Sequence, residues 1–188
     1  MIGNDIIDLK LAKIQSNWQR EGFLKKQFTN KEQEIILNAD NSFFQVWLFW
    51  SMKEAAYKSV TQQSKNRFFS PQKFKCNLIN ENQGIVFFEG HKVHTTTLSN
   101  SFYIYTIANK YLKEGNVFSQ IGSPKTVNID IKNKLQEETG ISNTQIKQRK
   151  SINGAPFYYH KEELLTNSCS ISHHGKYGAF AFTLEIEY

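Results

Sequence analysis

A helical segment that begins near Ser42 constrains the fold of this chain more than any other feature. Residues three or four apart are neighbours on a helix surface. One face of this helix therefore carries Val46, Trp47, Trp50, Glu54 and Lys58. A carboxylate on such an aromatic face attracts a hard cation, which makes Glu54 a candidate metal ligand. The alternative is a surface ion pair between Glu54 and Lys58, worth about 0.2–0.5 kcal/mol, and spacing alone favours that alternative.

Composition indicates one well-filled core. The chain has 188 residues, of which 39% are hydrophobic and 14% aromatic, so we expect residues 1–188 to form a single domain. No apolar run approaches the roughly 20 residues of a membrane span, and no export signal follows Met1. We therefore expect a soluble, cytoplasmic protein. Cys76 and Cys169 lie far apart without CxxC spacing, which argues against a disulfide framework and against a zinc site.

Hydrophobic patterning predicts helices followed by antiparallel strands. Residues 2–9 are predicted as a strand that leads into a helix, and Thr29 with Glu32 forms a capping-box pattern at the start of another. Ser42 is a candidate cap for the third helix. A further helix is predicted over residues 127–138. The predicted strands cover residues 74–79, 85–88, 102–108, 157–160, 168–172 and 177–188.

Asp5 lies between apolar residues near the end of the first predicted strand. An isolated charge there would be costly to bury without a cation or hydrogen bonds, so Asp5 is a second candidate ligand. The alternative is an ordinary helix N-cap, which the local sequence favours. His91 and His94 are three apart in a strand-rich region and would face opposite sides, which argues against a metal pair.

The charge balance points to an anionic partner. Lys and Arg number 23 against 17 Asp and Glu, a formal net charge of +6. Nucleic acid, a phosphorylated small molecule and an acidic protein all fit this charge. One interpretation is therefore a basic nucleic-acid-binding module that uses exposed aromatic residues together with Lys65, Arg67, Lys73 and Lys75.

Three segments, in this order, resemble motifs of the 4′-phosphopantetheinyl transferase superfamily. They are IGNDI at residues 2–6, WSMKEAAYK at residues 50–58 and SISH at residues 170–173. Their order resembles the short holo-acyl-carrier-protein synthase type. The resemblance implies an α+β fold in which a small antiparallel sheet packs against a long helix, with the coenzyme A site between two such units. One copy per chain implies self-association, a trimer in the short type, in which His173 serves a site completed by Asp5 and Glu54 of a neighbouring subunit.

The resemblance also implies an activity. The enzyme would transfer 4′-phosphopantetheine from coenzyme A to a serine of an apo acyl or peptidyl carrier protein and release adenosine 3′,5′-bisphosphate. Asp5 and Glu54 would bind Mg²⁺, and Glu54 or a water beside the metal would take the serine proton. Acidic carrier proteins suit the net charge of +6. A further interpretation is an inactive relative that only binds carrier protein.

The remaining implied site residues bind phosphates. Lys53 and Lys58 would contact phosphate oxygens, Lys58 as part of the catalytic group, while Ser172 and His173 would bind the nucleotide phosphates. From the residues alone, the polar segment around His173 is equally a simple hairpin turn.

Three departures from the family pattern bear on details. Ile7 stands where some relatives have a third metal carboxylate, and Asp8 would point the other way along a strand, so we expect a water in that place. Ala155 stands where a family loop often has a basic residue, which Arg149 or Lys150 could replace. The extra middle region could mimic a second subunit and makes a monomer conceivable.

Overall fold

The computed structural model describes residues 1–62, 70–110 and 116–185. The helices are α1 (Leu9–Gln15), α2 (Phe23–Gln27), α3 (Asn30–Asn38), α4 (Ser42–Thr61) and α5 (Val127–Thr139). The strands are β1 (Ile2–Asp8), β2 (Lys75–Leu78), β3 (Gln83–Phe88), β4 (His91–Ser99), β5 (Tyr103–Asn109), β6 (Val117–Gly122), β7 (Ile146–Lys150), β8 (Pro156–His160), β9 (Glu163–Leu164), β10 (Thr166–His174) and β11 (Tyr177–Leu184). Within these ranges no helix is long and apolar enough to cross a membrane.

The first unit of the fold is a five-stranded antiparallel sheet packed against α4. The strand order is β1-β5-β4-β3-β2, and the apolar side chains of the inner sheet face meet α4 in one core. Helix α3 packs on the other side of α4, so α4 is apolar nearly all round. Its N-cap is Asn41, whose side chain accepts from the amide of Phe44, and the prediction that Ser42 caps this helix was wrong. The capping box of Thr29 and Glu32 on α3 is confirmed.

Gly3 allows β1 to lie directly on α4. A Cβ atom at this position would collide with the backbone oxygen of Ala55 and the backbone nitrogen of Ser59. Only glycine permits so close an approach of strand and helix. Asp5 lies two residues further along β1. The same contact therefore places Asp5 against the face of α4 that packs on the sheet.

The second unit has a similar topology on a smaller scale. The strand order is β10-β11-β6, α5 packs on this sheet, and a separate small sheet has the order β7-β8-β9. In the first unit β1 pairs antiparallel with β5, and β5 pairs with β4. In the second unit β6 pairs antiparallel with β11, and β11 pairs with β10. Both units therefore contain the same three-strand arrangement. The sequence shows no corresponding repeat. The α+β class and the helix predicted over residues 127–138 are confirmed, whereas β4, β6, β7 and β9 were not predicted.

The two units join along the free edge of β1. Side chains of alternate β10 residues accept hydrogen bonds from β1 backbone amides: Ser168 from Ile2 at 2.7 Å, Ser170 from Asn4 at 3.0 Å, and His174 Nδ1 from Asp8 at 2.9 Å. A buried strand edge must be paired or covered. Here serine and histidine side chains cover it, which fixes the register of the second unit against β1.

Candidate active site

Asp5, Glu54 and Lys58 converge where β1 meets α4. The Nζ atom of Lys58 lies 3.1 Å from Asp5 Oδ1 and 3.0 Å from the carbonyl oxygen of Asn4. Asp5 is only 8% exposed. Lys58 is thus the ion-pair partner of Asp5, and the alternative of a Glu54–Lys58 surface pair is wrong.

Asp5 is not a helix cap. It lies within β1, and α1 is capped by Asp8, whose Oδ1 atom accepts from the amides of Lys10 and Leu11. As expected from strand alternation, Asp8 therefore points away from Asp5. Ile7, which stands at the position of a third carboxylate in some relatives, is buried in the core.

Both site carboxyls resist ionisation. Burial raises the pKa of Asp5, and the ammonium of Lys58 opposes the rise. Burial, followed by the charge of Asp5, raises the pKa of Glu54 to about 7, which Lys58 opposes only in part. Two acids share one ammonium, so an additional cation would favour the ionised form of both.

The donor set fits a hard divalent cation. The Oδ2 atom of Asp5 is buried and has no hydrogen-bond partner among the described residues. Magnesium binds through one or two carboxylates and completes its shell with water and substrate phosphates. No group of three or more His, Cys, Asp or Glu side chains within the described ranges could hold a metal. Asp5 and Glu54 are the two carboxylates of this arrangement that could hold such an ion.

The structure places Lys53 away from this group. Its ammonium is fully buried and donates to Glu32 Oε2 at 2.8 Å, to the Pro71 carbonyl at 2.9 Å and to the Phe74 carbonyl. An ammonium has three protons, so none is left for a phosphate. The predicted phosphate contact of Lys53 is corrected to a structural role that ties α4 to α3 and to the start of β2.

The predicted residues on β10 are separated from one another. Ser172 is buried and its hydroxyl accepts from Asn4 Nδ2 at 2.9 Å. His173, the next residue, points to the other side of the strand and is exposed. In the described residues no recorded contact joins His173 to Asp5, Glu54 or Lys58. His174 is the imidazole that faces β1, where its Nδ1 atom accepts from the Asp8 amide.

Ser51 is a site residue that the sequence prediction missed. It lies one helical turn before Glu54 on the same face of α4, is fully buried, and its hydroxyl lowers the pKa of Asp5. The i,i+3 spacing between Ser51 and Glu54 was visible in the sequence.

Of the four basic residues in the nucleic-acid interpretation, the structure describes Lys73 and Lys75. Lys65 and Arg67 lie outside the described residues. Lys73 pairs with Glu89 at 3.2 Å, and Lys75 is exposed.

Comparison with known proteins gives one family. A model of the 4′-phosphopantetheinyl transferase superfamily matches residues 1–112, which include the IGNDI and WSMKEAAYK segments. The holo-[acyl-carrier-protein] synthase of Neisseria meningitidis is 13% identical, with a TM-score of 0.44 over 57% of this chain and 94% of that chain. The holo-[acyl-carrier-protein] synthase of Thermotoga maritima is 11% identical, with a TM-score of 0.43 over 85% of this chain and 82% of that chain. No curated protein sequence gave a match.

Proposed function

The chain belongs to the 4′-phosphopantetheinyl transferase superfamily, and on this premise we propose that it modifies a carrier protein. The reaction transfers 4′-phosphopantetheine from coenzyme A to a serine of an apo acyl or peptidyl carrier protein. The observation that carries the proposal is the convergence of Asp5, Glu54 and Lys58, a buried carboxyl, a half-buried carboxyl and one ammonium, at the contact of β1 with α4.

Asp5 and Glu54 would hold a Mg²⁺ ion, which when bound neutralises charge on the pyrophosphate of coenzyme A. Asp5 offers Oδ2 for this purpose because Oδ1 is occupied by Lys58. Lys58 donates two of its three protons to Asp5 and to the Asn4 carbonyl, so one proton remains for a phosphate oxygen.

Glu54 is the general base of the proposed mechanism. In the metal-free protein the pKa of Glu54 is about 7, and a bound cation would lower it, so that Glu54 is ionised and able to accept a proton. It takes the proton of the carrier serine as the serine oxygen bonds to the phosphorus that bears pantetheine. The bond from that phosphorus to the bridging oxygen breaks, and adenosine 3′,5′-bisphosphate leaves with the electron pair.

We propose that residues 116–185 stand in for a second subunit. Their topology matches that of the first unit, and β10 covers the free edge of β1. A homo-oligomer would then not be needed to complete the site. His173 stays a predicted nucleotide-phosphate contact, because it is exposed, whereas Ser172 is buried and its hydroxyl accepts from Asn4 Nδ2.

We further propose that the carrier docks in a groove of about 880 Å³ between α1 and the first turn of α4. Lys10 and Lys13 supply positive charge, while Trp18, Phe43 and Phe44 supply apolar surface. The groove begins at Leu9, directly after Asp8, so a carrier bound there would lie near the end of β1. An acidic carrier helix fits this combination of charge and apolar contact.

One experiment tests the activity. The protein is incubated with coenzyme A, Mg²⁺ and several apo carrier proteins, and mass spectrometry looks for phosphopantetheine on the carrier. A carrier whose serine is replaced by alanine is the substrate control. Asp5→Asn and Glu54→Gln should abolish transfer, whereas Glu34→Gln, an exposed carboxylate on α3, should not. If no carrier is modified, the proposed transferase activity is refuted, and the interpretation as an inactive relative that only binds carrier protein remains.

A further inference from the structure

Ser51 carries a buried hydroxyl that the fold leaves without a partner. Its side chain is 0% exposed, and Oγ makes no hydrogen bond of normal geometry within the described residues. Other hydroxyls on α4 are satisfied: Ser59 donates to the Met1 carbonyl at 2.7 Å, and Thr61 donates to the Tyr57 carbonyl at 2.7 Å. Buried polar atoms in proteins nearly always have a partner, so this exception requires an explanation.

Asp5 provides the matching exception. Its Oδ2 atom is also buried without a hydrogen-bond partner among the described residues. Ser51 lies one helical turn before Ala55, whose backbone contacts Gly3, and Asp5 lies two residues after Gly3 on β1. The same part of the β1–α4 contact therefore holds two buried atoms without partners, Ser51 Oγ as a donor and Asp5 Oδ2 as an acceptor, and the Ser51 hydroxyl lowers the pKa of Asp5.

The other oxygen of Asp5 is already committed. Lys58 lies on Oδ1 at 3.1 Å, so Oδ2 is the oxygen left for a cation. A carboxylate oxygen has two lone pairs and can bind a cation through one while it accepts a hydrogen bond through the other. Carboxylates that ligate metals are commonly held in orientation by such hydrogen bonds.

We propose that Ser51 is a positioning residue: when a divalent cation shared with Glu54 binds Asp5 Oδ2, the Ser51 hydroxyl turns to donate to this oxygen and holds it toward the cation. The inference rests on the proposed function for the identity of the site, and it adds a residue to that site. Ser51 itself touches neither the substrate nor the cation. Its effect is on how tightly the cation is bound.

The test measures Mn²⁺ binding to Ser51→Ala by electron paramagnetic resonance and calorimetry, with no coenzyme A or carrier present. Loss of a hydrogen bond to a ligating carboxylate weakens metal binding by about 10–100-fold. The melting temperature of the metal-free variant should not fall, because without a cation the Ser51 hydroxyl makes no hydrogen bond of normal geometry. Ser51→Thr keeps the hydroxyl and should bind Mn²⁺ more tightly than Ser51→Ala.

Ser59→Ala is the matched control, a buried serine two turns along the same helix. It loses the bond to the Met1 carbonyl, so its melting temperature should fall while its Mn²⁺ affinity stays unchanged. The inference is overturned if Ser51→Ala binds Mn²⁺ as the wild type does, if Ser59→Ala weakens binding equally, or if the wild type binds no Mn²⁺. A wild type that binds Mn²⁺ but transfers no pantetheine would refute the proposed function alone, because a weakened Ser51→Ala would still support the Ser51 assignment.

Discussion

Replacing Lys53 by methionine tests whether the lysine before Glu54 holds α4 in place or contacts substrate. In the folded protein its ammonium is fully buried and bonded to the Glu32 carboxylate and to two backbone carbonyls, and it lies 5.4 Å from the centre of the Phe28 ring. Methionine has a similar length but cannot donate. We therefore expect Lys53→Met to leave one carboxylate and two carbonyl groups buried without their partner.

The magnitude follows from what Glu32 retains. Removal of one partner of a buried ion pair costs about 3–5 kcal/mol. Glu32 keeps two backbone donors, the amides of Thr29 at 2.8 Å and Cys76 at 2.7 Å, so we expect the lower end, about 3 kcal/mol. Glu32→Gln in the same chain removes the unpaired charge and should recover part of the loss.

The assay is urea unfolding followed by tryptophan fluorescence, together with transfer activity at low temperature, where the variant stays folded. Lys58→Met is the matched variant, for which we expect a smaller loss of stability but a large loss of transfer activity. Its side chain is 29% exposed and its partner Asp5 can take up a proton, so the loss of stability should be smaller. Its transfer rate should fall by about 100-fold or more, the usual effect of removing a donor that stabilises transition-state charge.

One result would refute this reasoning. If Lys53→Met unfolds at the wild-type urea concentration but loses transfer activity as Lys58→Met does, Lys53 contacts the substrate. The structural role assigned to its bonds with Glu32 and the two carbonyls would then be wrong.

Three further predictions concern the same site and its surroundings. The pKa of Glu54 is raised from 4.5 to about 7, so the metal-free folded protein holds a proton that the unfolded chain releases. The free energy of unfolding of the wild type should therefore fall as the pH rises from 4.5 to 7. If urea unfolding of Glu54→Gln shows the same dependence of this free energy on pH as the wild type, the prediction is contradicted. Gly3→Ala should lower the free energy of unfolding by about 3 kcal/mol, since the new Cβ meets the Ala55 carbonyl, and a wild-type melting temperature would argue against the contact. Lys10→Glu with Lys13→Glu should raise KM for an acidic carrier by about 10-fold at low salt with kcat unchanged, and an unaltered KM would exclude the groove.

Local interactions account for what could be predicted from the sequence. The capping box of Thr29 and Glu32 joins residues three apart, and the period of the apolar residues identifies α4 without knowledge of its neighbours. The same period shows that Glu54 and Lys58 share a helix face. That Asp5 belongs with them came only from a family motif, because their contact spans about fifty residues of chain.

Long-range packing decided the rest. The sequence places Lys53 beside Glu54 but cannot show that Glu32, 21 residues away, occupies its ammonium. Strand alternation places Ser172 and His173 on opposite sides of β10. Only the tertiary fold shows that Asn4, 168 residues distant, donates a hydrogen bond to the Ser172 hydroxyl. Periodicity determines which side chains share a face of a helix or strand. What that face meets is determined by how distant elements fill the core and pair their buried polar groups. This is why the sequence predicts the two carboxylates, whereas Ser51 is found beside Asp5 only in the tertiary structure.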